Sequence, residues 1–148
     1  MIIPRRVKPH HVRVALVDSG ERVLLKRHRS ADGSRFWALP GCPAHRHEPP
    51  GTTAGHLLER LGMAGDVPDE PTWRRSVQVV LAGEVVRHDE DILYVRAVEV
   101  RPALAGELWC PLQQLPRLRE PVYPTRLAEL ITSPGGEGRP QPTTVIGA

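Results

Sequence analysis

Residues 37–63 read WALPGCPAHRHEPPGTTAGHLLERLGM. The short apolar run through Trp37, Ala38 and Leu39 is a strand end, stopped by Pro40-Gly41. A polar, histidine-bearing loop follows. The spacing then predicts a helix from Pro49 or Gly51 to Leu61. Ala54, Leu57, Leu58 and Leu61 fall at i, i+3, i+4 and i+7 and make one apolar stripe. Thr52 or Thr53 can cap its start, and Gly62 can stop it in the left-handed conformation. His56, Glu59 and Arg60 lie beside the stripe, so they face solvent or a cleft.

Outward toward the N-terminus, residues 1–9 read as a loose lead-in. His10 to Val17 alternates as a strand, with Val12, Val14 and Leu16 on one face. Asp18-Ser19-Gly20-Glu21 is a turn, and Arg22 to Arg27 is the second arm of a hairpin. Phe36 to Leu39 is the next short strand. Outward toward the C-terminus, Trp73 to Val86 is rich in strand formers, with Gly83 as a bulge or turn. His88-Asp89-Glu90-Asp91 reads as a charged loop, and Ile92 to Val100 as a strand. Leu108 to Leu112 is a short strand, and Pro121 to Ile131 a final helix. Residues 132–148 are rich in Pro and Gly and are expected to be a disordered or loosely draped tail. This order of strands and two helices predicts one domain over residues 10–131, an α+β or mixed-sheet sandwich and not a doubly wound parallel fold.

Composition sets the outer limits. A chain of 148 residues can bury a core without metal or disulfide staples. No apolar run approaches the roughly 20 residues of a membrane span. The basic N-terminus is followed by no apolar export segment, so the expected location is the cytoplasm. Net charge is +3, with 20 Lys and Arg residues against 17 Asp and Glu. That suits a small anionic ligand, and without an evident basic-aromatic block neither nucleic acid nor membrane is an expected partner. Cys42 and Cys110 lack metal-ligand or redox spacing and read as small reduced hydrophobes.

Several phrases together resemble the Nudix superfamily, hydrolases of nucleoside diphosphates linked to another group. They are VRVALVDSGERVLLKRHR (residues 12–29), FWALPG (36–41), LLERLGM (57–63) and ELWCPLQQLP (107–116). The resemblance implies a Nudix-like mixed β-sheet sandwiched between helices, and homodimers are common among such proteins. The family's signature runs G-x5-E-x7-R-E-U-x-E-E-x-G-U, with U bulky and apolar. Laid over residues 41–63 it finds Gly41, Leu57, Gly62 and Met63 in place. Its first acid falls on His47, with Glu48 adjacent. Its Arg falls on Gly55, the next Glu on His56, and the final Glu pair on Glu59 and Arg60.

The departures bear on chemistry. Mg²⁺ needs hard oxygen ligands shared between carboxylates and substrate phosphates. One helix carboxylate, Glu59, survives, and its neighbour Arg60 is a fixed cation that repels a metal and attracts an anion. A conventional Mg²⁺ site is therefore not expected.

Three readings follow. In the leading one the cleft is repurposed: His56 with Glu59 serves as general acid or base, while Arg60, Arg46 and Trp73 hold a small anionic or nucleotide-like substrate. In the second, an active hydrolase rebuilds a metal site, for Mg²⁺ or another divalent ion. Its ligands come from Glu59, Glu48 and His47, with help from Asp89, Glu90 or Asp91. In the third, the domain binds a ligand without catalysis. Plainer accounts stand beside each: His45 and His47 as polar loop residues, His56, Arg46 and Arg60 as solvated surface, Trp73 as core.

Overall fold

The computed structural model describes residues 6–7, 10–45, 47–81, 84–124, 126–132 and 140–147. Alternation in HVRVALV makes β2 (His11–Val17) and splits its side chains between two cores. Val12, Val14 and Leu16 pack on one side of the sheet with α1 (Pro50–Leu61). Ala15 and Val17 pack on the other side with α2 (Leu127–Thr132). The sheet is thus a filling between helices, and all five of these β2 residues are fully buried.

In chain order the strands are β1 (Arg6–Val7), β2, β3 (Arg22–Arg29), β4 (Arg35–Ala38), β5 (Gly41–Pro43), β6 (Ala64–Asp66), β7 (Trp73–Leu81), β8 (Glu84–Glu99), β9 (Glu107–Pro111), β10 (Val122–Tyr123) and β11 (Pro140–Gly147). A 3₁₀ helix spans Leu112–Arg117. The sheet runs β10-β4-β3-β2-β8-β7-β11, with β1, β5, β6 and β9 paired off this path. The expected β2–β3 hairpin forms at its turn, where Val17 pairs with Val23. The arms then part. β2 takes its long partner in β8, parallel and in register from His11↔Glu90 to Val17↔Arg96. β4 and β5 fill the gap, pairing with β3 and β2 respectively.

Helix α1 carries Gly51 and Gly55, each costing about 1 kcal/mol relative to Ala in a helix. Burial of Leu57, Leu58 and Leu61 outweighs this, at roughly 1.5–3 kcal/mol for each leucine. Tertiary packing, and not propensity, fixes the helix. Gly62 ends it at φ 71°, with its N–H and that of Met63 bonded to Glu59 and Leu58 carbonyls. Pro49 is the N-cap and Pro50 opens the helix without any side-chain cap, so neither Thr52 nor Thr53 fills that role.

Four further expectations are corrected. Residues 88–91 are not a loop but the middle of β8, paired with β7 and β2. Their charges are tolerated there because cationic partners meet them. Pro121 to Ile131 is not one helix. Val122–Tyr123 is strand β10, because residues that precede proline are pushed out of the helical region, and α2 begins at Leu127. Within the supposed loose tail, Pro140–Gly147 pairs in parallel with β7, where the β-branched run Thr143 to Ile146 favours strand; residues 133–139 and 148 lie outside the described residues. In the lead-in, Arg6–Val7 pairs with β8. Among the described residues no helix is long and apolar enough to cross a membrane.

Candidate functional site

The signature stretch is anchored from beneath. Arg13, on β2, passes under Gly41 to reach Glu90 on β8. A Cβ at Gly41 would stand 2.8 Å from Arg13 Cγ and 3.1 Å from the Val12 carbonyl, so only glycine lets the two strands close over that guanidinium. Arg13 Nη1 donates to the Leu39 carbonyl at 2.9 Å. Its Nε donates to Glu90, which also accepts from Arg75 Nε at 2.5 Å. Arg75 and Glu90 are buried, so this is an Arg-Glu-Arg triad inside the sheet, tied to the strand end before the loop.

Above it the loop turns over α1. His47 takes φ 63°, a left-handed conformation that asparagine and histidine tolerate better than most residues. Glu48 is thereby brought back to the helix, where its carboxylate accepts from the buried Thr53 hydroxyl at 3.2 Å. Glu48, and not His47, is the loop acid that faces α1. His56 Nε2 lies 3.6 Å from Glu48 Oε1, and its Nδ1 lies 3.9 Å from Glu59 Oε2. These separations exceed a hydrogen bond, so the imidazole is flanked by two carboxylates but not locked by either. It is about half exposed, and Glu59 is more so. Arg60, one turn beyond His56, is exposed and has no carboxylate partner among the described residues.

Of the sequence candidates, the structure brings His56, Glu48 and Glu59 close to one another. His45 and His47 are exposed on the loop and meet none of them in a described contact. Arg46 lies outside the described residues. Trp73 is not a stacking platform: it is 1% exposed and packs edge-on to Tyr94 in the core beside α2. Its indole N–H is buried without a partner among the described residues.

Asp89, Glu90 and Asp91 do not join the helix acids. Glu90 belongs to the triad. Asp91 Oδ2 lies 2.7 Å from His10 Nε2, and its Oδ1 lies 3.3 Å from Arg74 Nε. Asp89 accepts from the Ser76 hydroxyl at 2.6 Å. That bond, reinforced by Arg87 and opposed by partial burial, holds its carboxyl below the usual range. These groups wall an open cavity of about 400 Å³. It borders the signature loop, because the His10 carbonyl accepts from the Ala44 N–H at 2.7 Å.

At the far end of α1, Arg101 Nε donates to the Leu61 carbonyl at 2.6 Å while its other nitrogens grip Glu107 at 2.7 and 3.1 Å. Arg101 holds the Glu107 carboxyl below its usual range, against burial that raises it. Arg13 and Arg101, the two arginines that position the site, were not singled out in the sequence. Arg13 carried a signal, since it interrupts the apolar run of a buried strand.

The donor set does not suit the Mg²⁺ site the fold implies. The helix offers Glu59 with His56 and Arg60 at the other two ligand positions. Among the described residues no three His, Cys, Asp or Glu side chains are arranged to hold a metal ion.

No protein-family model matches this chain, and no curated protein sequence matches it. Solved structures do. The crystal structure of the mutator MutT protein from Bacillus halodurans superposes with a TM-score of 0.63 at 16% identity, covering 85% of this chain and 83% of that one. The solution structure of the E. coli ORF135 protein gives 0.53 at 17%, covering 84% and 90%. Identities this low speak to fold alone, and on fold they agree with the architecture: the chain has a Nudix-like fold.

Proposed function

We propose that this chain is an enzyme whose Nudix-like cleft is adapted away from Mg²⁺-dependent diphosphate hydrolysis and acts on a small anionic, nucleotide-like substrate. The observation that carries the reading is the His56 imidazole standing between Glu48 and Glu59, at 3.6 and 3.9 Å, on the helix face where the family pattern has a metal-binding acid. Standing between the two carboxylates and locked by neither, the imidazole can take a proton from an attacking water and hand it on to a leaving oxygen. Arg60, one turn away, supplies a fork of donors for the substrate's anion.

The test is phosphate release from a panel of nucleoside diphosphate derivatives, with Mg²⁺, with Mn²⁺ and with chelator. Turnover should persist in chelator and fall by about 100-fold or more in His56→Ala, as loss of a general acid-base group does. Circular dichroism should show that variant folded. Turnover that needs added metal and vanishes in Glu59→Gln would instead favour a rebuilt metal site. The closeness of Glu48 and Glu59 to one imidazole is what keeps that second reading open. Absence of turnover, with nucleotide binding lost in Arg60→Gln, would make the domain a ligand-binding one.

A further inference from the structure

Thr53 stands one turn before Leu57 on the apolar stripe of α1 and is fully buried. A hydroxyl taken out of water needs a hydrogen-bond partner. Here the partner is Glu48 Oε1, at 3.2 Å. Branching at the threonine Cβ leaves few side-chain torsions open within a helix, so burial holds this hydroxyl in one direction. The contact therefore does more than satisfy Thr53: it fixes where one oxygen of Glu48 stands.

Glu48 is fixed from its backbone as well. The left-handed turn at His47 precedes it, its N–H donates to the His45 carbonyl at 3.3 Å, and Pro49 after it confines it to extended backbone. The oxygen that accepts from Thr53, Oε1, is also the one that stands 3.6 Å from His56 Nε2. That separation is about 0.4 Å beyond the long limit of an N–H···O hydrogen bond, and catalytic contacts of this kind tighten when substrate arrives. The other acid beside the ring differs. The Glu59 side chain is 81% exposed against 22% for Glu48, it lies 3.9 Å from Nδ1, and it accepts no hydrogen bond among the described residues.

We infer that Glu48, held by the Thr53 hydroxyl, is the carboxylate that orients His56, and that Thr53 is a positioning residue of this site. The inference rests on the reading of His56 as the proton carrier. In a neutral imidazole, the nitrogen that is held decides where the proton sits and leaves the other nitrogen to work. Nε2 faces the fixed acid and keeps its proton there. Nδ1, on the more exposed side near Glu59, is left with its lone pair and takes the proton of the attacking water. Glu59 is too exposed and too loosely placed to set the ring. Thr53 and His56, three residues apart on the helix, are neighbours on its surface, and the prolines at 49 and 50 keep Glu48 close to both.

The experiment compares the full chain with Thr53→Val, Thr53→Ser, Glu48→Gln and Glu59→Gln, each checked for folding by circular dichroism. Valine keeps the shape of threonine and removes only the hydroxyl. The first measurement needs no turnover: the His56 Nε2 resonance of ¹⁵N-labelled protein at about pH 9, above the ordinary histidine range, assigned by its loss in His56→Gln. It should move in Thr53→Val and Glu48→Gln, stay close to its wild-type position in Thr53→Ser, and move less in Glu59→Gln. The second is phosphate release in chelator. There kcat should fall about 10–100-fold in Thr53→Val with KM little changed, as when a catalytic group is misplaced. Thr53→Ser should recover most of it, and Glu48→Gln should lose more than Glu59→Gln. A resonance that ignores Thr53→Val, or that moves most in Glu59→Gln, overturns the inference whether or not the chain turns over. So does wild-type kcat in Thr53→Val. A chain that releases no phosphate while its Nε2 resonance follows Thr53 and Glu48 keeps Glu48 as the orienting acid and removes only the proposed hydrolysis.

Discussion

At the scale of single residues, the site depends on groups that touch no substrate. Gly41→Ala would force the Arg13 side chain aside, since the new methyl meets its Cγ at 2.8 Å. Arg13 then loses Glu90 and the Leu39 carbonyl together. A loss of about 1–3 kcal/mol, as for other overpacked sites, should appear as a lower urea midpoint. Glu90→Ala should be worse, at about 3–5 kcal/mol, because it strands the buried Arg75 guanidinium without a counter-charge. Replacing Arg13, Glu90 and Arg75 together by apolar residues of similar volume should come out near neutral in the same assay. Were the triple variant as unstable as Glu90→Ala, the triad would owe its worth to something other than mutual neutralisation. The sequence named Glu90 as an acid but gave no way to see that two arginines from distant strands would close on it. Trp73 failed as a ligand platform for a related reason: burial is decided by which face of β7 meets α2, and alternation alone does not say which face that is.

At the scale of elements, α1 was legible because its apolar stripe repeats at helical spacing and Gly62 can take the left-handed conformation that ends it. Its start was less so. Two prolines open it without a side-chain cap, and Thr53 turns instead to Glu48. The helix retains a removable weakness. Nothing lies within 4 Å of where a Cβ on Gly55 would stand, so Gly55→Ala should stabilise the protein by about 0.5–1 kcal/mol, raising its melting temperature. By contrast Gly51, whose Cβ would meet the Pro68 carbonyl at 2.5 Å, should not accept the same change.

Strand β8 was misread because charge at 88–91 imitates a loop. A strand can carry such a run when its neighbours supply arginines, and that information sits some fifteen to eighty residues away in the chain.

The charge pairs set a pH dependence with two windows. His28 has a lowered pKa in the folded protein, so the unfolded chain takes up its proton first and stability declines as pH falls below 6.5. Glu107, also lowered, contributes stability above 4.5 that is lost as pH falls through its folded value. Melting curves against pH should therefore lose the upper step in His28→Phe and the lower step in Glu107→Gln. A lower step that survives Glu107→Gln would mean that other carboxylates, Asp89 among them, govern acid unfolding.

At the scale of the whole molecule, the layered architecture was readable from the order of strands and helices, while the partners of each strand were not. The hairpin expected between β2 and β3 exists only at its turn, because β2 spends its length beside β8. That pairing joins residues about 80 positions apart, and everything from β3 to β7 lies inside the loop it closes. Closing so large a loop is slow, and sheets dominated by distant pairings fold in milliseconds to seconds. Helix α1 packs on the face that β2 and β8 make together, with Val12, Val14, Leu93 and Val95 beneath it. During synthesis the helix therefore has no floor until the chain has been made past Val95, and His56 cannot be held between Glu48 and Glu59 before then. The site acquires its shape only then, although its residues leave the ribosome in the first half of the chain.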